Sequence, residues 1–151
     1  MHKVKFFFYG TLMDYVHTNA MIETESERAS ALGVLYDLGP FPGALFDTGQ
    51  VTNIVYGRMI TFTAPTPELA EGLLTQFDGY EGYSPDDLEH SLYIRKTVEV
   101  LTQSGAKHEC QTYHFNKMYG DMTNYAKYVA SGDWKKFKEQ LSEKSDEEDI
   151  N

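Results

Sequence analysis

Apolar and polar positions along this chain fall into short runs and alternations that predict several strands and a few helices. Val4-Lys5-Phe6-Phe7-Phe8 is a nearly unbroken apolar run of strand length and reads as a buried strand. It ends at Tyr9-Gly10-Thr11-Leu12, after which a less regular stretch around Tyr15–Glu25 reads as helical. Ala31 to Leu38 reads as a second strand. Gly39-Pro40-Phe41-Pro42-Gly43 then forces a turn, because proline fixes φ and glycine tolerates positive values. Ala44 to Phe46 is a short strand candidate, and Val55 to Phe62 is a stronger one, rich in β-branched and aromatic residues.

The next segment carries the clearest helical signal. Thr66 suits the N-cap, Pro67 the first helical position, and Glu68 the positive end of the helix. Leu69, Leu73, Leu74 and Phe77 then share one stripe. Asp78-Gly79 predicts the stop, with Asp78 a helix-end acid facing solvent. Two strand-like segments follow, Tyr93–Thr102 and Glu109–Phe115, joined by a loop over 103–108 that suits a hairpin. In the first of them Ile94, Val98 and Val100 alternate onto one face, and Tyr93, Arg95 and Thr97 onto the other. Gly132-Asp133-Trp134 opens a last helix capped by Asp133, with Trp134, Phe137 and Leu141 on one face. Strands dominate without strict βαβ alternation, so the expected class is α+β with the sheet curled into a barrel.

Composition narrows the picture. A chain of 151 residues with 41% hydrophobic and 14% aromatic content fits one domain with a substantial core. The net charge of −10 lacks the clustered cations needed to neutralise phosphates, which argues against nucleic acid as a partner. Acidic residues crowd the end, at Glu143, Asp146, Glu147, Glu148 and Asp149. They read either as a solvated disordered end or as an acidic interaction tail, which gives a domain over 1–144 and a disordered tail over 145–151. Cys110 is the one cysteine and allows no internal disulfide. Its spacing to His108 and His114 matches no zinc pattern, and a half-buried strand thiol is the expectation. No apolar run is long enough to span a membrane, and the start runs into a strand rather than a leader, so a soluble cytoplasmic protein is expected.

Three constellations could carry chemistry. Phe8-Tyr9-Gly10-Thr11-Leu12 takes a strand through glycine toward a helix, leaving backbone N–H groups that either nest an anion or simply turn the chain. Phe77-Asp78-Gly79-Tyr80-Glu81-Gly82-Tyr83 follows the central helix, and continued helical geometry aims Glu81 toward the side that Phe77 enters. A carboxylate in a partly apolar cleft has its pKa raised toward neutrality, which suits proton transfer; the plainer alternative is a solvated turn acid. Tyr93-Ile94-Arg95, with Tyr113 on the next strand, either lines a polar pocket or faces solvent. Nucleophile elbows, phosphate loops, dinucleotide fingerprints and helical His-x-x-x-His pairs are missing.

Taken in order, Tyr-Gly-Thr-Leu after the first strand, the Gly-Pro-Phe-Pro-Gly turn, Phe-Asp-Gly-Tyr-Glu-Gly-Tyr and then Tyr-x-Arg resemble the γ-glutamylcyclotransferase-like family, which includes γ-glutamylamine cyclotransferases and AIG2-like proteins. The resemblance runs from about Phe6 to Trp134. It implies a small mixed β-barrel with flanking helices. Tyr9, Gly10, Thr11 and Leu12 match the loop whose backbone binds the substrate's α-carboxylate. Glu81 matches the general acid/base, and Tyr93 and Tyr113 match pocket tyrosines. The implied reaction needs no cofactor and no metal. In a small-molecule γ-glutamyl substrate, the α-amine attacks the γ-carbonyl, releasing an amine and 5-oxoproline. A barrel that binds small molecules or partners without turnover is the alternative. Met13-Asp14 stands where many relatives have a basic residue and glycine, a departure that bears on which substrate is taken. Oligomeric state is not legible in the sequence.

Overall fold

The computed structural model describes residues 1–14, 19–46, 53–116 and 127–150, with the side chains of Asp14 and of 144–150 outside that description. Eight strands and two helices appear in the described residues: β1 (His2–Phe8), β2 (Glu23–Leu32), β3 (Val34–Asp37), β4 (Pro42–Leu45), β5 (Ile54–Ala64), α1 (Pro67–Tyr80), β6 (Tyr93–Thr102), β7 (Lys107–Phe115), β8 (Lys127–Tyr128) and α2 (Trp134–Ile150). The order β1-β5-β2-β6-β7 closes into a barrel, and β4-β3-β8 form a second, three-stranded sheet. All barrel pairings are antiparallel except β1 with β7, which are parallel around Phe6 and Gln111. The fold is therefore mixed α+β on a small closed barrel, as the sequence pattern implies.

The apolar run in β1 is explained by burial on both faces. Phe6 and Phe8 join a cluster with Ile60, Phe62 and the α1 residues Leu73 and Phe77. Phe7 points the other way, into a cluster with Val55, Met59, Val100, Cys110 and Trp134. Three consecutive phenylalanines with no polar face are what such a strand requires, because each alternating side must leave water.

α1 forms as the stripe predicts. Thr66 caps it, its hydroxyl accepting from Leu69 N–H at 3.2 Å, and Pro67 occupies the first turn. Asp133 caps α2, its carboxylate accepting from Lys136 N–H at 3.0 Å. Several expectations are corrected. Residues Glu23 to Glu25 belong to β2 rather than to a helix, because they pair with Thr63, Phe62 and Thr61 of β5; positions 15–18 of that expected helix lie outside the described residues. The expected strand Ala31 to Leu38 is two strands, broken at Gly33, whose absent side chain admits Phe46 and the Leu45 carbonyl at close range. α1 continues two residues past Asp78, to Tyr80. Cys110 is fully rather than half buried, and burial pushes its thiol pKa up to about 11. Leu141 is 39% exposed, whereas Trp134 and Phe137 pack as expected. The backbone of α2 is helical from Trp134 through Ile150. Glu and Lys are good helix formers, and they carry the backbone on.

Candidate functional site

Glu81 owes its position to the way α1 ends. The helix closes with Gly82 in the left-handed region, at φ +68°. Gly82 N–H donates to the Gly79 carbonyl at 3.3 Å, and Tyr83 N–H to the Asp78 carbonyl at 2.8 Å. That paired pattern is a Schellman cap, for which glycine is the ordinary residue. Glu81 is the C-cap itself, its own N–H bonded to Phe77 at 2.9 Å. Leu92 N–H then returns to the Gly82 carbonyl at 3.1 Å, pinning the cap to the segment that leads into β6.

The carboxyl so placed lines a cavity of about 230 Å³. Tyr9, Gly10, Thr11 and Leu12 form one wall, and Tyr93 and Tyr113 lie on others. All seven residues singled out in the sequence therefore meet at one cavity. Burial raises the Glu81 pKa from 4.5 to about 7. The phenols of Tyr9, Tyr93 and Tyr113 are held neutral, their pKa values pushed upward first by burial and then, for Tyr113, by its bond to Asp78 and that carboxylate's charge, with the negative charge of Glu81 adding to Tyr93 and, in smaller part, to Tyr9 and Tyr113.

The phenols of Tyr9, Tyr93 and Tyr113 have fixed partners. Tyr9, although it belongs to the loop, uses its side chain structurally: its hydroxyl donates to the Tyr113 carbonyl at 2.5 Å and accepts from Ala44 N–H at 3.2 Å. Tyr93 donates to the Pro42 carbonyl. Tyr113 donates to Asp78 Oδ1 at 2.7 Å. Gly10 has to be small, because a Cβ there would stand 2.8 Å from Cγ of Pro42. After it, Met13 N–H bonds the Gly10 carbonyl at 3.1 Å and opens a single 3-10 turn over Thr11–Asp14. The N–H groups of Thr11 and Leu12, at the start of that turn, have no acceptor within it.

The sequence reading missed two things. Phe41 and Pro42, which it took only as turn residues, close the cavity. Asp78 does not face solvent; it is only 15% exposed, held by Tyr113 and, at 3.5 Å, by Nε of Arg95. The Asp-x-x-Glu spacing at the end of a helix is the signal that could have revealed it, since both acids then sit within one turn. Arg95 flanks the site without lining the cavity, and Thr97 is exposed beyond it. Among the described residues no group of three His, Cys, Asp or Glu side chains stands ready to hold a metal.

These features define a class: a small closed-barrel protein with a desolvated acid and a strand-to-turn loop facing each other across an aromatic pocket. The sequence matches the family model described as "Gamma-glutamyl cyclotransferase, AIG2-like" over residues 6–136, and the chain belongs to that family. Its fold is similar to that of an Arabidopsis thaliana protein solved in solution, at 23% identity over 97% of this chain and 79% of that one, with a TM-score of 0.61. It is similar also to an AIG2-like protein from Mus musculus, at 20% identity over 87% of this chain and 88% of that one, with a TM-score of 0.58. No curated protein matches the chain. Among the described residues, no helix is long and apolar enough to cross a membrane.

Proposed function

We propose that the protein is a γ-glutamyl cyclotransferase that cleaves a γ-glutamyl amide by intramolecular attack, with Glu81 as general acid and base. The observation that carries this reading is the Glu81 carboxyl, desolvated at the cavity wall with its pKa raised to about 7. A carboxyl of that pKa exchanges protons readily at neutral pH. The substrate's α-carboxylate docks against the N–H groups that begin the turn after Gly10, and its α-ammonium lies toward Glu81. Glu81 takes a proton, freeing the nitrogen lone pair to attack the γ-carbonyl carbon. The new C–N bond closes a five-membered ring, and the bond to the leaving nitrogen breaks. Glu81 passes its proton to that nitrogen, and a second proton from the attacking nitrogen follows the same route. The amine then leaves as an ammonium, 5-oxoproline remains, and the carboxylate is restored. Because nucleophile and electrophile belong to one molecule, folding the substrate and moving protons suffices, and no cofactor is called for.

Release of 5-oxoproline from a panel of γ-glutamyl amines tests the reaction. Glu81→Gln keeps the shape but cannot take the proton, so turnover should fall by about a hundredfold or more in a protein that still melts cooperatively. Near-normal release from folded Glu81→Gln moves the chemistry to another residue. Ligand binding by the wild type without release identifies a binding module instead.

A further inference from the structure

A phenol hydroxyl has one hydrogen to give, and for Tyr93 and Tyr113 at this cavity that hydrogen is already committed. Tyr93 gives its own to the Pro42 carbonyl, and Tyr113 gives its own to Asp78 Oδ1 at 2.7 Å. What each oxygen keeps is lone pairs. Asp78 sits in the last turn of α1, three residues before Glu81. Arg95 lies directly opposite Tyr113 in the β6–β7 pairing, with its Nε 3.5 Å from the same Asp78 oxygen. Nη1 of Arg95 is buried with no hydrogen-bond partner. A guanidinium can only donate. If Asp78 offered no acceptor, the Tyr113 hydrogen would be free to turn into the cavity, and its oxygen would accept from Arg95.

We propose that Asp78 is a positioning residue: by accepting the Tyr113 hydrogen, it leaves the Tyr113 oxygen able only to accept from a ligand, so that this side of the cavity selects a protonated amine. The inference rests on the reading of Glu81 as the group that takes a proton from that amine. The cavity then divides its labour. Backbone N–H groups after Gly10 meet the ligand's carboxylate, while the oxygens of Tyr93, Tyr113 and Glu81 meet its ammonium. Asp78 touches no ligand and acts through Tyr113. It also holds the end of α1 against β6 and β7, so an effect on stability alone would not distinguish the two roles; amine selectivity does.

The test measures binding by calorimetry in the Glu81→Gln background, which prevents turnover. Two probes are used, γ-glutamyl butylamide and glutaryl butylamide, which differ only in the α-amine. The parent should prefer the amine-bearing probe. Asp78→Leu, which removes the acceptor, should lose about tenfold or more of that preference, the scale of a hydrogen bond to a charged group. Tyr113→Phe should lose as much, and the double variant no more than either alone. Asp78→Asn retains a carbonyl oxygen and should keep most of the preference. Equal binding of both probes by the parent overturns the proposal, as does a folded Asp78→Leu that keeps the parent's preference. Should Asp78→Leu not fold, an unaltered preference in Tyr113→Phe overturns it equally. Release of 5-oxoproline by the wild type is scored separately. Amine preference without release sinks the reaction and spares this inference, whereas release with preference unchanged in Asp78→Leu does the reverse.

Discussion

Glu81 is a carboxylate that the fold has moved toward neutrality, and that has a consequence for stability as well as for reactivity. Its pKa rises from 4.5 to about 7 because burial penalises the charge. Below about pH 4.5 the group is protonated in folded and unfolded chains alike, and folding carries no penalty from it. Between about 4.5 and 7 the unfolded chain ionises while the folded one keeps its proton, so stability falls as pH rises. Above about 7 both are ionised, and the loss, at most about 3 kcal/mol and less for a group only partly shielded from solvent, is complete. Glu81→Gln should remove this slope. Subtracting denaturation curves of the two proteins across pH 4 to 8 should isolate it, and parallel curves would deny that the carboxyl is desolvated. Glu81 itself was legible in the sequence, from its place after an amphipathic helix and from the family motif. Asp78 was not, because only the apposition of α1 with β6 and β7 decides that its carboxylate turns inward to Tyr113 and Arg95.

The end of α1 shows how one element sets a functional coordinate. Gly82 takes φ +68°, and a Cβ there would find its nearest neighbour 3.8 Å away, on Leu92. Gly82→Ala therefore meets no clash, only the cost of the left-handed conformation, about 1 kcal/mol. It should lower stability by about that much in urea denaturation and cost disproportionately more in 5-oxoproline release, because Glu81 is the adjoining cap residue. Gly79 offers the contrast, being helical with open space where its Cβ would go. Gly79→Ala should stabilise by about 0.5–1 kcal/mol. Equal effects from both substitutions would mean that the cap geometry does not matter. Thr66, Pro67 and the stripe ending at Phe77 made the helix readable from its beginning. Its last two residues were less so, since Asp78-Gly79 reads as a stop unless the Schellman bonds across it are known.

At the scale of the molecule, α2 is tied to the barrel through Gly132. That residue has φ +68°, its carbonyl accepts from Tyr56 N–H at 2.8 Å, and a Cβ would fall 1.8 Å from the Ile54 carbonyl oxygen. No side-chain movement relieves a clash with backbone. Gly132→Ala should therefore destabilise by about 3 kcal/mol or more, seen as a drop of many degrees in the melting midpoint or as failure to accumulate folded protein. A melting midpoint close to the wild type would show that α2 docks by other means. The contrast with Gly82→Ala is one of mechanism, since both glycines share the same φ and only Gly132 faces backbone.

The sequence by itself determined the local elements whose signals are local. These are β1 from its nearly unbroken apolar run, α1 from its cap and stripe, the β6–β7 hairpin from alternation and turn chemistry, and the start of α2 from Asp133. The order of short motifs also pointed to the family, and so to Glu81. Tertiary structure alone decided what depends on residues far apart in the chain. It drew Glu23 to Glu25 into β2 by offering β5 as a partner, against a helical reading. It closed the barrel by the single parallel pairing of β1 with β7. It brought Pro42 over Gly10 and Tyr93, and Arg95 and Tyr113 onto Asp78. Propensity and periodicity act over a few neighbouring residues, whereas desolvation, register and the direction of a hydroxyl hydrogen arise only once distant strands have met.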